Sequence, residues 1–169
     1  QKQIIKDKIT ASNQALIFKD GEVVFNHIEN SMIKGDQLIT NETIFPIWSM
    51  SKPITIVAMM ILYEKGLIDF NDSVSKYIPA FSKPICENKN GTYPCKSQLK
   101  LIHLMNHRSG YVYYDRYYVD VIQSKNLEEL MNKIAKQPLQ IEPGSKFLYG
   151  INQSILGRVI EVVSGKNFY

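Results

Sequence analysis

Four serines in this 169-residue chain stand three residues ahead of a lysine: Ser31/Lys34, Ser49/Lys52, Ser73/Lys76 and Ser97/Lys100. Residues i and i+3 share a helix face, so on a helix the amine can reach the hydroxyl and take its proton, which makes a nucleophile. Surroundings must choose among the four. Ser31/Lys34 and Ser97/Lys100 lie in polar stretches where both groups are simply solvated. Ser49 alone opens a long apolar-periodic segment, in which Ile54, Val57, Ala58, Ile61 and Leu62 recur at helical spacing. A serine in that place faces the positive end of the helix and its free N–H groups, which favour a developing oxyanion. The apolar face is expected to carry the Lys52 stem into the core and make its amine a better base.

The elements that must position this pair follow from the same pattern. Ser49 to Lys65 is the strongest helix, with Pro53 in the first turn, where its missing N–H costs nothing, and Gly66 as the stop. Two short β-prone runs, 15–18 and 23–25, flank Asp20-Gly21, a hairpin signal. Further helices are expected over 99–105, 127–135 and 152–163, with a turn and short helix over 69–79 and a polar loop over 83–98. Glu142-Pro143-Gly144 marks a turn before Phe147 to Tyr149. An antiparallel sheet normally needs three or more strands, and only two clear strands are legible.

Composition excludes several classes. Hydrophobic content of 44% and charged content of 21% fit an ordinary globular domain. The net charge of +4 comes from scattered lysines, not the basic stripe that a nucleic-acid partner would require. No run approaches the roughly 20 apolar residues of a membrane span. No signal-peptide pattern opens the chain at Gln1, a feature that a mature or trimmed product also lacks. Cys86 and Cys95 have no His or further Cys at zinc spacing, so no metal is expected. A local disulfide, formed in an oxidising compartment, is the expected alternative to two free thiols.

Three ordered segments carry a family resemblance: FPIWSMSKPITIVAMMILYEKGLIDFNDSVSKYIPAF, LIHLMNHRSG and EPGSKFLYGINQSILGRVIEVVSG. Together they resemble the β-lactamase-related serine hydrolases, the group that includes class C β-lactamases, D,D-carboxypeptidases, D-aminopeptidases and family VIII type esterases. The likeness runs from about Phe45 to Gly165, and Asp20 to Val24 also fits. It implies an α+β, β-lactamase/transpeptidase-like fold, an antiparallel sheet with a helical subdomain. It implies a hydrolase that uses no cofactor or metal and works through a Ser49 acyl-enzyme. Lys52 would take or relay the serine proton, Tyr149 would share the acid and base roles, and the Ser49 N–H would supply half of an oxyanion hole.

The chain departs from the family pattern at one informative place. Class C β-lactamases and many peptidases carry Tyr-x-Asn where this sequence has Tyr149-Gly150-Ile151. The missing amide favours ester over conventional amide substrates. Asn152 is a candidate substitute for substrate binding, although one residue of helix rotation, about 100°, would turn it away. His103 and His107 fall in a segment that the resemblance reads as structural. Tyr111, Tyr113, Tyr114, Tyr117 and Tyr118 crowd one stretch. Tyr111 and Tyr113 are read as an aromatic rim on the substrate cleft.

The expected organisation is the N-terminal portion of one domain over 1–169: a sheet hairpin at 15–27, the nucleophile helix at 49–66, a helical subdomain at 67–148, and the second-motif tyrosine and its helix at 149–165. The third family motif, [KHW]-[ST]-G on a sheet strand, is not found after Tyr149. The segment alone is therefore expected to be inactive and to need a C-terminal portion of the same domain. The substrate is expected to be a small ester or amide, and the location periplasmic, cell-envelope or secreted. A non-catalytic penicillin-binding-like module and an acyltransferase or transpeptidase of the same fold are the alternatives.

Overall fold

Asp20 and Gly21 both adopt positive φ, 52° and 86°, the backbone that a tight two-residue hairpin turn requires. In the computed structural model, which describes residues 1–113 and 117–168 without the Tyr118 side chain, this turn joins β1 (Ser12–Lys19) to β2 (Glu22–Asn30). The strands pair antiparallel from Ser12 opposite Asn30 to Lys19 opposite Glu22, with a bulge between Ile17 and Phe18. They are longer than the apolar runs predict. A short helix, α1 (Lys2–Lys6), precedes them. These elements lie in the first of two compact units, Gln1–Ile47, and the remainder in the second, Trp48–Tyr169. Leu16, Ile17, Phe18, Val23, Val24 and Phe25 are all exposed. Consecutive apolar residues point to opposite faces of a strand, so both faces of the hairpin are apolar, the pattern of strands meant for burial on both sides.

In the second unit, α2 (Ser51–Glu64) is apolar on most of its circumference, yet only Thr55, Met59 and Leu62 are buried. The apolar stripe read from the sequence packs only in part: Leu62 is buried and Ala58 half-buried, while Ile54, Val57 and Ile61 are exposed and Thr55 and Met59 complete the buried face. A helix with two apolar faces gives no periodic signal for which of them packs.

Residues 83–98 are not a plain loop. They form a second hairpin, β3 (Ile85–Asn88) and β4 (Gly91–Pro94), paired antiparallel from Ile85 opposite Pro94 to Asn88 opposite Gly91. The overlooked signal is Asn90-Gly91, at the turn, with Gly91 at φ 119°. Cys86 is bonded to Cys95 across 5.0 Å between Cα atoms. Leu139 bridges to Cys86, and the Glu87 N–H donates to the Leu139 carbonyl at 2.8 Å. A Cys86→Ala/Cys95→Ala variant of the full-length protein is expected to lose on the order of 2 kcal/mol, because the closed loop is short. Chemical denaturation reads this directly. An unchanged midpoint would mean that the bond contributes nothing.

The remaining helices are α3 (Leu101–Met105), α4 (Tyr118–Gln123), α5 (Leu127–Ile134) and α6 (Asn152–Ser164). Asn126 caps α5 by accepting the Glu129 N–H at 2.8 Å. Gly165, left-handed at φ 68°, ends α6. Against α6 pack α2, α3 and α5. Ile155, Leu156 and Val159 of α6 join Met59, Leu104 and Met131 in one buried cluster. A helix central to the unit thus carries, at its N-terminal end, the residues next to Tyr149.

Candidate active site

Ser49 lies in a single 3-10 turn, Trp48–Met50, which runs straight into α2. Trp48 holds a left-handed backbone at φ 48°, a conformation that costs a non-glycine residue about 1–3 kcal/mol and gathers at functional sites. Ser51 Oγ donates to the Trp48 carbonyl at 2.5 Å and fixes the turn. Lys52 follows one helical turn after Ser49, and its Nζ donates to Ser49 Oγ at 2.9 Å. Its residue is half-buried, less than the predicted core placement.

Tyr149 arrives from 100 residues away, and its hydroxyl is 2.9 Å from the same Ser49 oxygen. Lys52 Nζ lies 5.0 Å from the Tyr149 ring centre and 5.8 Å from that of Tyr113. The lysine ammonium, first through its hydrogen bond, and then the serine hydroxyl lower the Tyr149 phenol below its ordinary value, against a smaller opposing effect of burial. A phenol beside a fixed cation gives up its proton at lower pH, so more of it stands ready as the phenolate base.

The segments 107–112 and 139–151 run side by side and hold Tyr149. The Leu148 N–H donates to the His107 carbonyl at 2.7 Å, and the Ile151 N–H to the Val112 carbonyl at 3.0 Å. The close approach depends on Gly110, at φ 98°, where a Cβ would come within 2.5 Å of the Ile141 carbonyl oxygen. His107, at φ 57°, stacks on the Tyr149 ring with centres 4.6 Å apart. Its Nδ1 faces the Asn152 side-chain amide at 2.8 Å and the Gly150 N–H at 3.3 Å. Both are donors, so Nδ1 accepts and the ring proton belongs on Nε2. Burial, and then the Lys52 charge, lower the His107 pKa. His103 instead accepts the Lys100 N–H at the start of α3 and packs against Gly144.

Of the other Ser-x-x-Lys pairs, Ser31 donates to the Asp36 carboxylate, and Ser73 and Lys76 have partners other than each other. Lys76 is committed to Asp72 at 2.8 Å, and Ser73 caps a 3-10 turn by accepting from the Ser75 N–H. Two of the residues read as substrate-binding are not brought to the cleft. Asn152 is 0% exposed; its Oδ1 accepts from Ser109 Oγ at 2.5 Å and its amide faces His107. The extra residue of rotation turns it inward, where its polar groups are consumed. Tyr111 is also 0% exposed, in edge contact with Phe81 and Tyr117, and burial pushes its phenol up. Tyr117 is buried as well; Tyr114 and the Tyr118 side chain lie outside the described residues. Tyr113, 40% exposed and 5.3 Å from the Tyr149 ring, does line the cleft.

That cleft has a volume of about 590 Å³, bounded by Trp48, Ser49, Lys52, Tyr113, Val121 and Gln153. Sequence reasoning did not single out Gln153, and it placed His107 only in a structural segment. Nothing in residue type or spacing marks either one. Among the described residues, the one set of clustered ligand-type side chains is Cys86, Cys95 and Glu142. Its two sulfurs are bonded to each other and so offer no thiolate.

The chain has counterparts among known proteins. The family pattern described as Beta-lactamase matches residues 2–169. The chain belongs to the beta-lactamase family. Its relatives include Esterase EstB of Burkholderia gladioli, 23% identical over 97% of this chain and 44% of the esterase. A D-alanyl-D-alanine carboxypeptidase candidate of Escherichia coli (strain K12) is 26% identical over 89% of this chain and 37% of its own length. Among solved structures, EstCE1, described as a hydrolase with promiscuous acyltransferase activity, aligns over 99% of this chain and 46% of its own, with a TM-score of 0.83 and 26% identity. The chain thus spans less than half the length of each of these relatives. The fold is the α+β, β-lactamase and penicillin-binding-protein type, with helices and small antiparallel sheets. The family identity supports serine hydrolase chemistry in general, and among the described residues no helix is long and apolar enough to cross a membrane.

Proposed function

We propose that this beta-lactamase-family protein hydrolyses a small carboxylic ester, with amides as less favoured substrates, through an acyl-enzyme on Ser49. The observation that carries the reading is the convergence of Lys52 Nζ and the Tyr149 hydroxyl on one oxygen, each at 2.9 Å. Ser49 Oγ attacks the carbonyl carbon and passes its proton to the Lys52–Tyr149 pair. The oxyanion forms beside the Ser49 N–H at the head of α2. The pair returns the proton to the leaving alcohol or amine as the carbonyl re-forms. The same groups then strip a proton from water, which attacks the acyl-enzyme and frees the acid and Ser49. Ile151 stands buried where many peptidases of the family have an asparagine, and Asn152 is spent on Ser109 and His107. Both facts support esters over amides.

The likeness to EstCE1 supports a second reading, transfer of the acyl group to an alcohol in place of water. We further propose that the complete site includes a C-terminal portion of the same domain. The apolar faces of the β1–β2 hairpin and of α2 support this, as does the chain's share of its relatives' length. A periplasmic, cell-envelope or secreted location is supported by the Cys86–Cys95 bond.

The test treats full-length protein with a fluorophosphonate and, separately, a penicillin, and maps the adduct by mass spectrometry. A label on Ser49, together with hydrolysis of short p-nitrophenyl esters, is expected. An unlabelled Ser49 would make the protein a non-catalytic binding module, and product appearing only with an added alcohol acceptor would make it a transferase.

A further inference from the structure

Tyr149 is 39% exposed, and a half-open side chain samples several rotamers unless its surroundings hold it. His107 holds it in three ways. Its ring lies on the phenol at 4.6 Å and 22° between planes. Its carbonyl accepts the Leu148 N–H at 2.7 Å, and its Nδ1 accepts the Gly150 N–H at 3.3 Å. The residues on both sides of Tyr149 are thus bonded to one histidine. Gly150 reaches this place because it has no Cβ, which would stand 1.8 Å from the Tyr111 carbonyl oxygen.

The protons of this cluster are fixed by a buried chain. The Tyr111 N–H donates to Ser109 Oγ at 3.1 Å, and the Ser109 hydroxyl donates to Asn152 Oδ1. The Asn152 oxygen is filled, so its amide N–H is the group that faces His107 Nδ1. A proton on Nδ1 would meet two donors and no acceptor. Turning the Asn152 amide over would answer that proton, but would leave the Gly150 N–H facing it and strip the Ser109 hydroxyl of its acceptor. Ser109 and Asn152 are 0% exposed, so water does not make good either loss. Among the described residues, Lys52 of α2 is the charged group that faces the ring and Tyr149 the other titratable one; Phe147 and Asn152 bring no charge. Burial and then Lys52 keep the ring neutral to lower pH than a free histidine.

We propose that His107 is a positioning residue for the acyl transfer: it aims the Tyr149 hydroxyl at Ser49 Oγ, and does so only while its Nδ1 carries no proton. It touches neither the substrate nor Ser49 and acts through Tyr149. The inference rests on the acyl-enzyme reading above, in which Tyr149 shares the acid and base roles. A catalytic group displaced by a fraction of its reach loses rate steeply, so loosening this clamp slows the chemistry while leaving the cleft that binds substrate in place.

The test follows acylation of the full-length protein by p-nitrophenyl acetate across the pH range, with two variants of His107. His107→Phe keeps an aromatic ring over Tyr149 and removes the acceptor. His107→Asn gives up the ring but sets a side-chain oxygen near the place of Nδ1, and asparagine tolerates the left-handed backbone at φ 57°. His107→Phe is expected to slow acylation about ten- to a hundredfold with little change in KM, and His107→Asn to recover most of that loss. In the wild type the rate is expected to fall more steeply at pH below about 6.5, the ordinary histidine value, as the ring gains its proton. That steepening should be missing from His107→Asn. Added to Tyr149→Phe, His107→Phe should cost almost nothing more, because the hydroxyl it aims is gone. A full rate in folded His107→Phe, a wild type without the steepening, a steepening that persists in His107→Asn, or losses that multiply in the double variant would overturn the inference alone. Should His107→Phe not fold, the pH profiles of the wild type and His107→Asn decide. No turnover by the wild type at any pH, with Ser49 unlabelled, would overturn the hydrolase reading and this inference with it.

Discussion

Ser49→Ala is expected to abolish acyl-enzyme formation in the full-length protein and to lower esterase turnover by at least about a thousandfold, the scale of losing a serine nucleophile. The fold should not suffer. Ser49 is exposed in the 3-10 turn ahead of α2, so removing its hydroxyl opens no cavity. The turn is held by the hydrogen bond from Ser51 to Trp48, which the substitution leaves in place. Lys52 and Tyr149 lose a shared partner but keep their mutual contact. Circular dichroism should match the wild type, while intact-mass analysis shows no adduct from a fluorophosphonate. Undiminished turnover with the label on Ser31, Ser73 or Ser97 would move the chemistry to another of the four pairs.

The second large effect is that of Tyr149→Phe, which keeps the ring against His107 and removes only the hydroxyl. Acylation is expected to slow by roughly a hundredfold or more, as when a positioned acid–base group is lost, with little change in substrate affinity. The pH dependence gives the finer signature. Lys52 and Ser49 lower the phenol, so its deprotonated form is present at lower pH than for a free tyrosine. The wild-type acylation rate should therefore rise with pH along a limb centred below about 10, the ordinary tyrosine value. It should fall away as pH drops through that midpoint and the phenol regains its proton. In Tyr149→Phe this limb should vanish. Stopped-flow acylation across the pH range measures both points. A limb that persists in the variant would assign the titration to another group, and an unaltered rate would return Tyr149 to the role of a packing residue.

The sequence made part of this legible for physical reasons. A two-residue Asp-Gly turn has a strict backbone requirement, so the first hairpin announces itself. A serine at the head of an apolar helix with lysine three residues on has one geometric outcome, and the structure brings Lys52 to Ser49. The second hairpin was hidden because its strands are four residues long and carry Glu87, Asn88 and Thr92 in place of apolar alternation. Its stability rests on the Cys86–Cys95 bond and the pairing to Leu139, neither of which is a local property. Burial was the least accessible quantity. Tyr111 and Tyr113 are two residues apart and of one type, yet one is sealed among Phe81 and Tyr117 and the other lines the cleft. Asn152 and Gln153 differ by one position on α6, and that step separates a consumed amide from an unpaired one. Such distinctions arise only once α6 has packed against α2, α3 and α5.

The hydrogen bond between Ser49 and Tyr149 closes a loop of 100 residues, and this sets a timetable for the site during synthesis. Chains are made at roughly 5–20 residues per second, so the phenol follows the serine by roughly 5–20 s. Helix α2 and its Ser49–Lys52 pair need only local chain and can form within that interval, since helices form in about a microsecond. The contacts that fix Tyr149, those of 107–112 with 139–151 and of α6 with the other helices, must wait for the later segments to emerge. Long-range closure of this kind is the slow part of folding. On the proposed mechanism, a nascent chain therefore carries Ser49 early but stays chemically silent toward acyl donors until α6 has docked and the C-terminal portion has followed.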